Sequence, residues 1–282
     1  MGSSQYQLFW QTIESNNIFD RTGFGTGSNA KDLSLSFWVR SSVSQNFNGF
    51  VKTADGSMYI YPYETGTLSA NTWTKITKSI PGNSNLQIDD DNGSGFQVFP
   101  IAIYGTNMTN NSVTYNQWAG WSSGGRSKDQ ANSWFTTNDA TLEITGVQLE
   151  VGPEATPFEH RSFGEEKRLC MRYYQQYINL QISGGYVPGT SNKANQVTFT
   201  FPVEFRANPT ASITTTGSSA GQYIYDGSGY ANITALDSAG ILSTTCHMNF
   251  SLNGDLTNTR SVTLGGSTNT ANQTTFKFTA EL

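Results

Sequence analysis

Apolar residues recur at every second position along much of this chain, a period that strands satisfy and helices do not. Leu33-Ser-Leu-Ser-Phe-Trp-Val-Arg puts Leu33, Leu35, Phe37 and Val39 on alternate positions, and Trp73 to Ile80 repeats the pattern. Successive strand side chains point to opposite faces, so each such run buries one face and wets the other. Ser57 to Tyr63, Gly95 to Tyr104 and Ala140 to Val151 read as further strands, punctuated by Gly, Asn and Pro at the spacing of a β-sandwich. The alternation resumes at Val197 to Phe201, Ala211 to Thr214, Tyr223 to Tyr225, Met248 to Leu252 and Phe276 to Ala280.

Composition agrees with this reading. Only 13% of the 282 residues are charged, about half the ~25% of an average soluble domain. The surface is therefore mostly hydroxyl and amide, as in sheets joined by Gly/Ser/Asn turns. Aromatic residues at 13% argue against disorder. All six tryptophans fall at or before Trp134, so two domains with different cores are expected.

Between these regions the chain changes character. Seven charged residues crowd into 158–172, and Ser162 with Glu165 forms a capping box. Phe163, Leu169/Cys170, Tyr173 and Tyr177 then recur at near-helical spacing, which predicts a helix over 162–177. The expected fold is all-β: two antiparallel, jelly-roll-like β-sandwich domains joined by one short α-helix. The boundaries are 1–157 for the first sandwich, 158–178 for the helical connector and 179–282 for the C-terminal sandwich.

The stretch from 146 to 174 is the least accidental in the chain. Gly146-Val-Gln-Leu-Glu-Val-Gly152, Ala155-Thr-Pro-Phe-Glu-His-Arg161 and Gly164 to Tyr174 resemble a "GVQLEVG…ATPFE(H/R)R…GEEL.LCQRYY" pattern of bacteriophage tail-fibre and related virion appendage proteins, with Lys167 and Met171 as departures. Gln11 to Ser15 resembles their Q-R-I-E-G segment, and Leu33 to Ser42 their "TLSFWVRSS". Phe201 to Thr210 and the Ala280-Glu-Leu ending are similar to later family segments. The resemblance implies a carbohydrate-binding-module-like first sandwich, a homotrimer that contacts other virion proteins, and a virion location facing the extracellular medium. Family members carry several strands upstream of the Q-R-I-E-G position where about ten residues stand here, so the sandwich is expected to lack its first strands or to be completed by another segment or chain.

A net charge of −5 offers no basic footprint for nucleic acid. No run of 18 apolar residues and no signal-peptide pattern exists, so neither membrane insertion nor Sec secretion is expected. Cys170 and Cys246 make no disulfide framework and are expected to be reduced and buried.

No catalytic constellation emerges. His160 and His247 are the only imidazoles, and neither sits in a motif that presents a nucleophile. Cys246 and His247 are strand neighbours and should point to opposite faces. Asp89-Asp-Asp-Asn-Gly supplies hard oxygen ligands, with Asp89 and Asp91 as calcium candidates, but no bidentate Glu closes the loop and a plain turn accounts for the same residues. No metal or cofactor is expected.

Binding candidates are aromatic. Trp38, Trp73 and one of Trp118 and Trp121 are expected in the core, which leaves Trp121 or Trp134 as a surface ring for sugar stacking. Tyr223, Tyr225, Asp226 and Tyr230 surround a Gly-rich turn that reads either as a plain hairpin or as a receptor-contact loop. Arg168, Arg172, Tyr173 and Tyr177 on the connector are the candidates for contacts within the oligomer. The leading expectation is a distal tail-fibre protein binding a host-surface glycan. A purely structural head or tail decoration and a glycan-cleaving tailspike are the alternatives, since any pair of the 21 acidic residues could flank a glycosidic bond.

Overall fold

The computed structural model describes residues 2–23, 30–187, 190–215, 222–225, 229–257, 261–266 and 274–281. Two compact units divide at the 160/161 bond, Met1–His160 and Arg161–Glu281. Both are antiparallel β structures.

The first unit contains, in chain order, β1 (Tyr6–Glu14), helix α1 (Ser15–Thr22), β2 (Leu33–Ser41), β3 (Gln45–Thr53), β4 (Tyr59–Leu68), β5 (Thr74–Ile80), β6 (Ser94–Tyr104), β7 (Ala119–Gly120), helix α2 (Ser133–Thr136) and β8 (Leu142–Val151). A five-stranded sheet in the order β1-β6-β3-β4-β7 faces a three-stranded sheet in the order β5-β2-β8. The inward residues of the β2 alternation, Leu35 and Phe37, pack with Phe47, Val51, Phe96 and Ile101, all fully or almost fully buried. Each such side chain stabilises the unit by roughly 1.5–3 kcal/mol. Pro100, which has no N–H for a ladder, sits in β6 where the β3–β6 register slips between Asn48 and Phe50. Gly49 lies beneath the buried Tyr63, and a Cβ there would approach the Pro100 carbonyl oxygen to 2.5 Å.

The 152–160 stretch is a strap across the outer face of the smaller sheet. Strand β8 pairs with β2, then the chain turns at Gly152 and returns over the same face. The Glu150 carboxylate accepts from the Thr156 N–H (3.0 Å) and hydroxyl. The Gln148 side chain accepts from the Glu159 N–H (2.7 Å) and donates to the Pro157 carbonyl (3.3 Å). Ser34 on β2 donates to the Glu154 carbonyl (3.1 Å), and Ser34 and Ser36 are buried as a result. Gly146, at φ +60°, lies between Trp38 and Phe158 where β8 bulges opposite β2, a left-handed conformation that favours glycine.

The second unit contains helix α3 (Phe163–Cys170), β9 (Tyr174–Ile178), β10 (Ile182–Tyr186), β11 (Thr190–Thr200), β12 (Thr210–Thr215), β13 (Gln222–Tyr225), β14 (Tyr230–Ile241), β15 (Thr245–Thr257), β16 (Ser261–Gly266) and β17 (Thr274–Thr279). Six strands close into a barrel, β10-β11-β15-β14-β13-β16, and a three-stranded sheet β12-β17-β9 shares its core. Closure removes the free edges an open sheet would present.

Two expectations are corrected here. The helix does not reach Tyr177. Ser162 caps it, its hydroxyl accepting from the Glu165 N–H at 3.2 Å, but α3 ends at Cys170. Residues 174–178 instead pair with β17, Tyr177 opposite Phe276, because Tyr-Gln-Gln-Tyr-Ile also alternates and the ladder satisfies its backbone groups. Buried Gln175 fits this register, its amide donating to the Met171 and Val203 carbonyls (3.0 and 2.7 Å). Cys170 is exposed instead of buried, since no residue of α3 is buried. Cys246 is buried and its neighbour His247 is exposed on the opposite face, as the strand period requires.

Candidate ligand-binding face

The outer face of the five-stranded sheet brings together several aromatic rings and two cations of the first unit. Register aligns Thr12, Gln97, Lys52 and Ile60 across β1, β6, β3 and β4. Directly opposed residues of an antiparallel pair share a face, so these four form a row that is polar except at Ile60. The neighbouring row is aromatic. Phe50 stacks on Phe99 at 4.1 Å between centroids, and Trp10, opposite the extra residue of β6 at a register slip, stacks on Phe99 at 5.7 Å and 11°. Phe9 packs on the inner core, so the strand period itself directs these adjacent rings to opposite faces.

A loop after β6 folds over one end of this face. It is pinned by the Trp121 N–H on the Met58 carbonyl (2.9 Å), the Asn116 N–H on the Pro62 carbonyl (2.8 Å) and the Tyr115 hydroxyl on the Asn48 amide oxygen (2.7 Å). These bonds set the Trp121 indole 6.1 Å from the Phe50 ring. Lys52 Nζ lies 4.5 Å from the centroid of that indole, and the Arg126 guanidinium 5.1 Å from it and 5.0 Å from the Tyr104 ring. Phe50 is fully buried beneath the loop, whereas Trp10 stays 53% exposed.

The electrostatics are one-sided. Burial, and then the Arg126 charge, pushes the Lys52 ammonium below its ordinary pKa. Burial raises the Tyr104 phenol, and the Arg126 hydrogen bond and charge partly oppose it. Neither Lys52 nor Arg126 forms an ion pair with a carboxylate among the described residues. The Arg126 Nε and Ser127 Oγ atoms are buried without a hydrogen-bond partner. The face thus offers flat rings, two neutral polar side chains and two cations facing one indole, the mixture of apolar area and a few placed polar groups typical of a small-ligand site.

The residues singled out from sequence fall in several places. Trp121 belongs to this face, half-buried. Trp134 does not: its ring packs edge-on to Phe47 at 6.4 Å and its Nε1–H donates to the Thr141 carbonyl at 3.0 Å. Trp38 and Trp73, expected in the core, are 41% and 40% exposed. On β2 the inward positions are taken by Leu33, Leu35, Phe37 and Val39, so Trp38 faces outward. Trp73 precedes β5 and lies under the Arg40 guanidinium at 5.1 Å.

Tyr223 and Tyr225 lie on the β13–β14 hairpin of the barrel, whose inward residue Ile224 is buried. Asp226 and the side chain of Tyr230 lie outside the described residues. Arg168 is exposed on α3, while Arg172 and Tyr173 are half-buried. The Tyr177 ring is committed to the core, edge-on to Phe199 at 4.8 Å, and burial pushes its phenol up to about 12.

The calcium candidates form a turn. Asp91 accepts from the Gly93 N–H (2.7 Å), and Asp55 accepts from the Asp89 N–H (3.0 Å) and the Ser15 hydroxyl (2.9 Å). Among the described residues no group of three His, Cys, Asp or Glu side chains could hold a metal ion. Sequence reading missed Trp10, Phe50, Lys52, Phe99 and Arg126. The available signal was Leu8-Phe9-Trp10, an apolar run too dense for one face of a strand.

No protein-family model matches the chain, and no curated protein matches it.

Proposed function

We propose that the protein is a component of a bacteriophage virion appendage, the distal part of a tail fibre, and that it recognises a host-surface glycan on the outer face of the five-stranded sheet. The observation that carries this reading is the Trp10–Phe99–Phe50 stack beside Thr12, Gln97 and Lys52. Sugars present C–H faces that lie against aromatic rings and hydroxyls that need polar partners, and this face supplies both side by side. The resemblance of the 146–174 stretch to tail-fibre sequences supplies the biological setting. A half-exposed tryptophan stacked on a buried ring has its position fixed before a ligand arrives, which lowers the ordering cost of binding.

A glycan array probed with the recombinant protein and with Trp10→Ala tests the reading. Retention of host-derived glycans by the wild type and its loss in the variant is the expected result. Absence of binding to any host polysaccharide would leave a decoration role in its place, and release of reducing ends would point to cleavage.

The fibre reading brings a homotrimer with it. Helix α3 has eight residues and buries none of them, and its Phe163 is 83% exposed. Helices this short are marginal in water without packing, so cover from neighbouring subunits would stabilise it. Sedimentation equilibrium should give a trimer, and a monomer at micromolar concentration would remove this part of the proposal.

A further inference from the structure

We infer that the sugar held on this face carries an anionic group, a carboxylate or a phosphate, and that Lys52 and Arg126 select it over neutral glycans. The inference rests on the glycan reading and adds the ligand's charge to it. Its basis is an uncompensated pair of cations. Lys52 Nζ and the Arg126 guanidinium approach the same indole, Trp121, at 4.5 and 5.1 Å. The two like charges repel, the Arg126 charge helping to lower the Lys52 pKa, and the aromatic quadrupole offsets only part of that cost. A chain that needed this corner only for packing would place a carboxylate between the cations or use an apolar side chain, yet neither cation has an acidic partner among the described residues.

The surroundings favour an anion from outside. Arg126 is held in place, its backbone N–H bonded to the Met108 carbonyl (3.1 Å) and one terminal nitrogen against the Met108 sulfur (3.5 Å), while its Nε lacks a partner. Lys52 projects from a central strand, next to Gln97 in register. A ligand anion at this corner would be met by charge-assisted hydrogen bonds in a partly desolvated setting, where they are stronger than in water. The ring bearing that anion would lie toward Phe50, Phe99 and Trp10, with Gln97 and Thr12 at its hydroxyls. Carboxylate-bearing and phosphate-bearing sugars present the same chemistry to this corner.

The test is an array with three arms, carrying carboxylated, phosphorylated and neutral oligosaccharides of matched length, probed with the wild type, Lys52→Gln and Lys52→Arg. The expected result is that the retained glycans belong to one or both acidic arms. Lys52→Gln should weaken them about tenfold to a hundredfold, the equivalent of one charged hydrogen bond, and Lys52→Arg should restore most of the signal. Raising the salt from about 0.05 M to about 0.5 M should weaken the same glycans, because the contact is ionic. Lys52→Gln should also melt no lower than the wild type, since it relieves the repulsion from Arg126, so lost binding would not reflect lost folding. Retention confined to neutral glycans, or acidic glycans that survive Lys52→Gln undiminished, would overturn the charge assignment and leave the glycan reading standing. A wild-type protein that retains nothing on any arm would overturn both.

Discussion

The two outer faces of the first sandwich are covered by different means. Over β5-β2-β8 the chain lays its own backbone, the 152–160 strap, and fastens it through Ser34, Gln148 and Glu150, so that two serines in mid-strand are buried against main chain. Over the five-stranded sheet it lays rings and two cations, and it stops short of Trp10. The strap depends on particular residues at particular positions, because each bond needs one donor facing one acceptor. The aromatic face needs only large flat side chains at outward positions, which many sequences can supply. Hence the strap is set residue by residue, and the face proposed for recognition is not.

The most damaging way to break this contrast is Phe50→Ala. Phe50 is fully buried and stacked on Phe99, so truncation should cost about 3–5 kcal/mol. All six tryptophans lie in the first unit, so denaturant titration followed by tryptophan fluorescence reads that unit alone. Next comes Gly146→Ala on the strapped face. At φ +60° an alanine pays the left-handed penalty of roughly 1–2 kcal/mol, and its Cβ would sit 3.4 Å from the Trp38 ring. Gly146→Asn should lose less in the same titration, since asparagine tolerates that conformation better. If Gly146→Ala proved as costly as Phe50→Ala, the strap would be part of the core instead of a cover.

Sequence reading recovered what depends on period. Strands β2, β5, β6 and β8 were legible from alternation to within two residues at either end, and so was the opposed placement of Cys246 and His247. Strands β1 and β3 were not. In β1 Leu8 and Trp10 face one side and Phe9 and Ile13 the other, so both faces carry apolar residues and the period is hidden, and in β3 Gly49 and Asn48 stand among buried residues because close approach to Tyr63 and bonds to Lys128 and Tyr115 occupy them. The 162–177 stretch misled because its apolar residues suit both periods, and a ladder with β17 decided in favour of a strand from Tyr174. The candidate face was illegible for a further reason. Trp10, Lys52 and Phe99 meet only through strand order β1-β6-β3, and Arg126 joins them on the loop after β6, none of which alternation encodes.

Two smaller effects sharpen the contrast. On the strapped side, burial alone would raise the Glu150 carboxyl, but hydrogen bonds from Gln148 and from the Thr156 hydroxyl and N–H, with the Lys75 charge, outweigh it and hold the group below the ordinary carboxylate range. A carboxyl depressed on folding stabilises above its unfolded pKa, and that contribution is lost as pH falls through the folded value. The melting difference between the wild type and Glu150→Gln should therefore be widest above about pH 5 and close below it. A difference independent of pH would mean that Glu150 does not hold the strap through its charge.

On the open side, Trp10→Ala should cost only about 0.5–1.5 kcal/mol, the worth of one exposed aromatic pair, because half of the ring already faces water. The same substitution should abolish glycan retention. Trp38→Ala, which removes a similarly exposed indole from the strapped face, should leave retention intact while loosening the packing beside Gly146. The pair separates exposure from function. If both variants kept their glycans, exposed tryptophan would mark neither face as a site. If Trp38→Ala alone lost them, recognition would belong to the strapped face, and the 152–160 strap would be its frame.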